Sequence, residues 1–167
     1  MLNPEGEVRP APSRWVQALG LVGWLVLCFG ASASALLGRP DEWYARLNKP
    51  SWNPPGWLFG PAWSTLYTLM AIAAWLVWRR GGWKAQSGPL GWFLAQWVLN
   101  ALWTPLFFGL HRPDLAFAEI LFLAAAIAVT MVRFWRVTPA AGLLLVPYLG
   151  WVCFAATLNF TLWRMNA

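Results

Sequence analysis

Gln96, Asn100 and Trp103 follow one another at steps of four and three. On a helix that spacing sets all three on one face. Tyr148, Trp151, Ala155 and Asn159 repeat the pattern, and Trp63, Tyr67 and Met70 make a third stripe. Amides in hydrocarbon are costly unless paired, so the Gln96–Asn100 face is expected to point into the bundle or a cavity, where Asn100 would supply a polar contact to a ligand. The plainer alternative is that the amides bond neighbouring helices and the rings pack; the residues alone leave both open. Covalent chemistry has little to work with. There is one histidine, His111, and the two cysteines, Cys28 and Cys153, each lie in an apolar run. That excludes a disulfide framework and leaves no metal cluster to assemble. No nucleophile–base constellation or phosphate loop is present either, which argues against conventional hydrolysis or group transfer.

The elements that carry these stripes follow from the charges. Of 167 residues, 59% are hydrophobic and 11% charged, against about 25% charged in a soluble domain. Disorder is excluded by the same figures. The net charge of +6 does not imply nucleic acid, because the bases stand singly or in pairs between long apolar runs, as membrane topology signals do. No charge occurs over 15–38, 50–78, 85–110 or 137–163, and 115–132 is interrupted only by Glu119. A helix needs about 20 residues to cross the hydrocarbon. The runs do not alternate as barrel strands would. The expected fold is therefore all-α, an integral membrane bundle of five transmembrane helices near 15–37, 57–78, 90–110, 115–132 and 140–163, preceded by a polar tail over 1–14. A cleavable signal peptide is the competing reading of the N-terminus, but its apolar run is long for one.

Orientation rests on a count of bases. Arg9, Arg14, Arg79, Arg80, Lys84, Arg133 and Arg136 share one side, against Arg39, Arg46, Lys49, Arg112 and Arg164 on the other. The bias places the N-terminus in the cytoplasm, with the C-terminus and first loop outside. Small residues Gly20, Gly23, Gly30 and Ser34 on the first helix allow close packing, either within the bundle or along a homodimer seam. Trp57, Trp78, Trp83, Trp92 and Trp163 fall at helix ends and fit an interfacial belt. Trp63, Trp103 and Trp151 lie further in and do not. Glu119, about one turn inside the fourth helix, is expected to reach the headgroups or help satisfy the helix start. No Lys or Arg lies within any run to partner it, which weakens an ion-driven transport reading. The first loop, 38–56, combines both signs of charge with Trp43, Tyr44 and Trp52. Residues 41–47 are expected to form a short interfacial helix starting near Asp41, with Pro50, Pro54 and Pro55 stiffening the return. This loop is either a lid over a site or an interfacial anchor.

Several motifs in order now carry a resemblance. Lys49-Pro-Ser-Trp-Asn-Pro-Pro-Gly-Trp57, Gly60-Pro-Ala-Trp63, Leu99-Asn-Ala-Leu-Trp-Thr-Pro-Leu-Phe-Phe-Gly109 and Val146-Pro-Tyr-Leu-Gly-Trp-Val-Cys-Phe-Ala-Ala-Thr-Leu-Asn159, closing with Trp163-Arg164, resemble the TspO/MBR family. Its members are the tryptophan-rich sensory proteins of bacteria and the mitochondrial translocator protein, once called the peripheral benzodiazepine receptor. The similarity runs from about Trp15 to Asn166. It implies a five-helix bundle in a bacterial membrane, usually a homodimer, that binds porphyrin (protoporphyrin IX-like) and other flat apolar ligands. It implies no obligatory cofactor. The pocket would lie under the first loop and fall on Trp43, Tyr44, Trp63, Asn100, Trp103, Trp151 and Ala155. The implied role is a sensor or regulator of tetrapyrrole metabolism or stress. Two alternatives remain: a porphyrin transporter, and an enzyme that degrades bound porphyrin in light with Trp63 and Trp151 taking part. One departure stands out. Phe160 occupies the Tyr position of the family's sterol-recognition pattern, and losing that hydroxyl argues against cholesterol as a partner.

Overall fold

The computed structural model describes residues 13–167, so the polar tail expected over 1–14 lies, up to residue 12, outside the described residues. Every regular element among the described residues is helical. The Ser13 hydroxyl accepts from the Val16 amide at 3.3 Å and caps α1, Arg14–Gly30. The chain then tightens into a 3-10 helix, Ala31–Leu36. In the first loop Asp41 caps the short α2, Glu42–Arg46, by accepting from the Tyr44 amide at 3.1 Å, as an N-cap carboxylate does.

Gly56–Leu58 forms a 3-10 turn that leads into α3, Phe59–Trp78. The next helix, α4, runs Gly82–Thr104 rather than starting near 90, with a kink at Gln86 (φ −121°, ψ 23°). Charge-free runs mark where a helix can enter hydrocarbon, and α4 simply begins before that point, with Lys84 in its first turn. Pro89 lacks an N–H and its ring crowds the preceding turn, which accounts for the kink. At Pro105 the helix widens into a π turn, Pro105–Gly109.

α5, Pro113–Val137, outlasts the expected 132 because Arg133 and Arg136 are good helix formers. It stops at Thr138, held extended (φ −158°, ψ 121°) by the following Pro139. The last expected helix is broken in two: α6, Pro139–Leu143, and α7, Val146–Met165. Pro147 interrupts the ladder at the break.

Four helical stretches are long and apolar enough to cross a membrane: Arg14–Leu36, Gly56–Trp78, Pro113–Val137 and Pro139–Met165. The stretch Gly82–Thr104 is not among them, because Lys84, Gln86, Gln96 and Asn100 lower its apolarity. The chain is thus a helical membrane bundle. Met70, Ala74, Leu90, Phe93, Ile127, Phe134 and Tyr148 form its core. Two indoles lash α1 to it: Trp75 donates to the Gln17 carbonyl at 2.9 Å and Trp97 to the Leu27 carbonyl at 3.0 Å. The small residues of α1 divide. A Cβ on Gly20 would collide with the Trp78 ring, whereas one on Gly23 would meet nothing. Glu119 turns inward rather than toward the bundle's end, and both its carboxyl oxygens are buried without a hydrogen-bond partner among the described residues.

Candidate functional site

α3 and α7 touch only briefly, and the space they leave is a cavity of about 620 Å³, within the range of small-molecule sites. Each wall comes from a different element. Phe29 and Ser34 come from the end of α1 and its 3-10 extension, Tyr44 and Asn53 from the first loop, and Phe59, Trp63 and Tyr67 from α3. Asn100, Trp103, Phe107 and Phe108 come from α4 and the π turn, Ile120 and Leu123 from α5, and Trp151, Ala155 and Asn159 from α7.

The three stripes therefore converge. Trp63 lies 5.3 Å from Tyr67, tilted 31°, and meets Tyr148 edge-on at 6.4 Å. Trp103 stacks on Phe107 at 5.0 Å. Trp151 meets Phe59 edge-on at 5.9 Å. Offset and edge-on pairs of this kind fix the ring planes around an apolar space.

Polar groups are few and largely engaged. Tyr67 donates to the Asn100 Oδ1 at 3.2 Å. The Trp103 indole donates to Asn159 Oδ1 at 3.0 Å, and Asn159 Nδ2 donates to the Pro113 carbonyl at 2.8 Å. Below them Tyr148 donates to Gln96 Oε1 at 2.9 Å, leaving Gln96 Nε2 buried without a hydrogen-bond partner among the described residues. The plainer reading of the amides is thus realised in part: Asn100 bridges to α3, yet it also lines the cavity.

Tyr44, Trp63, Asn100, Trp103, Trp151 and Ala155 are brought together on the wall. Trp43 is not. It stacks on His111 at 4.3 Å and 15°, outside the lining, with its edge toward Phe107. Because α2 is helical, Trp43 and Tyr44 point about 100° apart, so one faces the cavity and the other the turn after α4. The wall also includes Tyr67, which spacing put on the Trp63 stripe but the pocket implied by the resemblance left out, and Phe107 and Phe108, whose π-turn register follows no 3.6-residue pattern.

The first loop is held closely. Lys49 Nζ donates to the carbonyls of Tyr44, Ala45 and Leu47 at 2.6, 3.2 and 3.2 Å and sits 4.6 Å from the Tyr44 ring centroid. It closes the C-terminal end of α2 as a cation should. Burial pushes the Tyr44 phenol above its ordinary range, so it meets the cavity as a neutral group. Asn166, beyond α7, accepts from the Asn48 amide at 2.8 Å and donates to its carbonyl at 3.0 Å. The loop's root is pinned where Gly38 meets Gly109: a Cβ on Gly38 would lie 2.6 Å from the Gly109 nitrogen.

Comparison with known proteins gives a consistent picture. The sequence profile of the TspO/MBR family matches residues 17–164. The translocator protein of Homo sapiens is 40% identical over 154 residues, 91% of each chain. The tryptophan-rich sensory protein of Cereibacter sphaeroides is 42% identical over 143 residues, 86% of this chain and 89% of its own. The tryptophan-rich protein TspO of Archaeoglobus fulgidus is 41% identical over 143 residues, 85% of this chain and 92% of its own.

Proposed function

The chain belongs to the TspO/MBR family, and from that premise and its aromatic cavity we propose that it binds a porphyrin or related tetrapyrrole and acts as a membrane sensor or regulator. The observation that carries this reading is the convergence of Trp63, Trp103 and Trp151, from three helices, on one apolar cavity roofed by Tyr44. A flat ligand there gains by apolar burial and by stacking. Asn100 and the indole N–H groups of Trp63 and Trp151 supply its few polar contacts, the Trp103 indole being engaged by Asn159. Occupancy would be reported through the first loop or through a homodimer seam.

The bundle is read as five spans, with α4 crossing between α3 and α5. Gln96 and Asn100, which lower the apolarity of α4, are 1% and 6% exposed, so they face the interior and not lipid. The N-terminus lies in the cytoplasm and the first loop outside, from the bias in bases.

A porphyrin titration of two variants tests the site. Trp151→Phe keeps a ring but loses indole area and its N–H. Affinity should fall about fivefold, equivalent to roughly 1 kcal/mol. Trp83→Phe, at an exposed position away from the cavity, should leave affinity unchanged. Equal affinity in both variants would mean that Trp151 is ordinary packing.

A further inference from the structure

His111 carries a conformation that its residue type seldom adopts. Its φ is 52°, the only positive φ among the described non-glycine residues. Such backbone is costly and persists where the surroundings hold it. Here the surroundings are two contacts to the first loop. The imidazole stacks on Trp43 at 4.3 Å and 15°, and its Nε2 lies 3.0 Å from Asp41 Oδ2.

Asp41 does two jobs at once, because its other oxygen caps α2 by accepting from the Tyr44 amide. That amide first, and then the His111 ring, hold the Asp41 carboxyl below the usual carboxylate range. The neighbouring charges are spoken for: Arg112 pairs with Asp114 at 2.6 Å and Arg46 with Glu42 at 3.0 Å. Both contacts of His111 therefore grip α2, the element that presents Tyr44 to the cavity.

We propose that His111 is a positioning residue for the cavity: through Trp43 and Asp41 it latches α2, and with it Tyr44, over the mouth, and so sets how slowly a bound ligand leaves. The effect on ligand rests on the porphyrin-binding reading; the latch itself does not. It also gives Trp43 a place outside the wall, as the surface against which the latch closes.

Two variants break the latch without breaking the fold. His111→Asn keeps a residue at ease in the left-handed region but is too short to stack. Asp41→Ser keeps a good N-cap but cannot reach the imidazole. In the ligand-free protein, hydrogen exchange at the amides of Tyr44, Ala45 and Arg46 should speed up in each variant, with the melting temperature little changed. Porphyrin dissociation should be about fivefold faster in His111→Asn, with association not slowed. The double variant should be no faster than His111→Asn alone, because His111→Asn already removes the contact that Asp41→Ser opens. Unchanged exchange in α2 overturns the latch. Faster exchange with unchanged dissociation overturns its control of the ligand. If the unaltered protein binds no porphyrin, the functional reading fails and the latch is judged on α2 exchange alone.

Discussion

Ala155→Leu is expected to weaken porphyrin binding about tenfold or more. Ala155 stands on the α7 wall of the cavity, one turn beyond Trp151. Three added carbons there occupy the space a flat ligand needs beside the ring. Overpacking of this size costs roughly 1–3 kcal/mol, and each 1.4 is a factor of ten in affinity. The matched control is Cys153→Leu, at an exposed position of the same helix. That change should leave affinity and melting temperature nearly unaltered. Equal losses from the two substitutions would place the ligand elsewhere.

Asn159→Ala should be the most damaging polar truncation for stability. Asn159 is 1% exposed and joins three elements: it accepts from the Trp103 indole on α4 and donates to the Pro113 carbonyl at the start of α5. Removing it leaves a part-buried indole N–H without its partner in an apolar setting. The expected cost is about 2 kcal/mol, read as a lower melting temperature in detergent. Asn159→Asp, which keeps the acceptor but loses the donor, should be damaging as well. If Asn159→Ala melts with the unaltered protein, the bridge contributes nothing.

Much of this arrangement is legible in the sequence because membrane burial and helical periodicity leave strong marks. Charge-free runs located the long helices. The steps of three and four placed Trp63, Asn100, Trp103, Trp151 and Ala155 on inward faces. What periodicity cannot convey is where a helix departs from 3.6 residues per turn. Pro105 opens the π turn that brings Phe107 into the wall, and Pro147 separates α6 from α7. Nor can it say which of two adjacent aromatics faces a site. Trp43 and Tyr44 looked equivalent in the first loop until α2 turned them apart. Glu119 illustrates a third limit. Its place near a helix start suggested a role at the headgroups or in satisfying that start, yet both its carboxyl oxygens are buried without a hydrogen-bond partner among the described residues.

The latch and the cavity together make a specific account of why the first loop is rich in aromatics and charge. Tyr44 faces inward, Trp43 faces His111, Asp41 serves both α2 and His111, and Lys49 closes the other end of α2. Each residue type is used for what it does best: ring area for stacking, a short carboxylate for capping, a flexible ammonium for gathering carbonyls.

The central claim, that the cavity holds a tetrapyrrole, is tested most directly by mass spectrometry of the protein purified gently from its own membrane. The account predicts a tetrapyrrole released on denaturation, near one per chain, and largely lost from Ala155→Leu purified in the same way. Release of no tetrapyrrole, or the same amount from Ala155→Leu as from the unaltered protein, would contradict it.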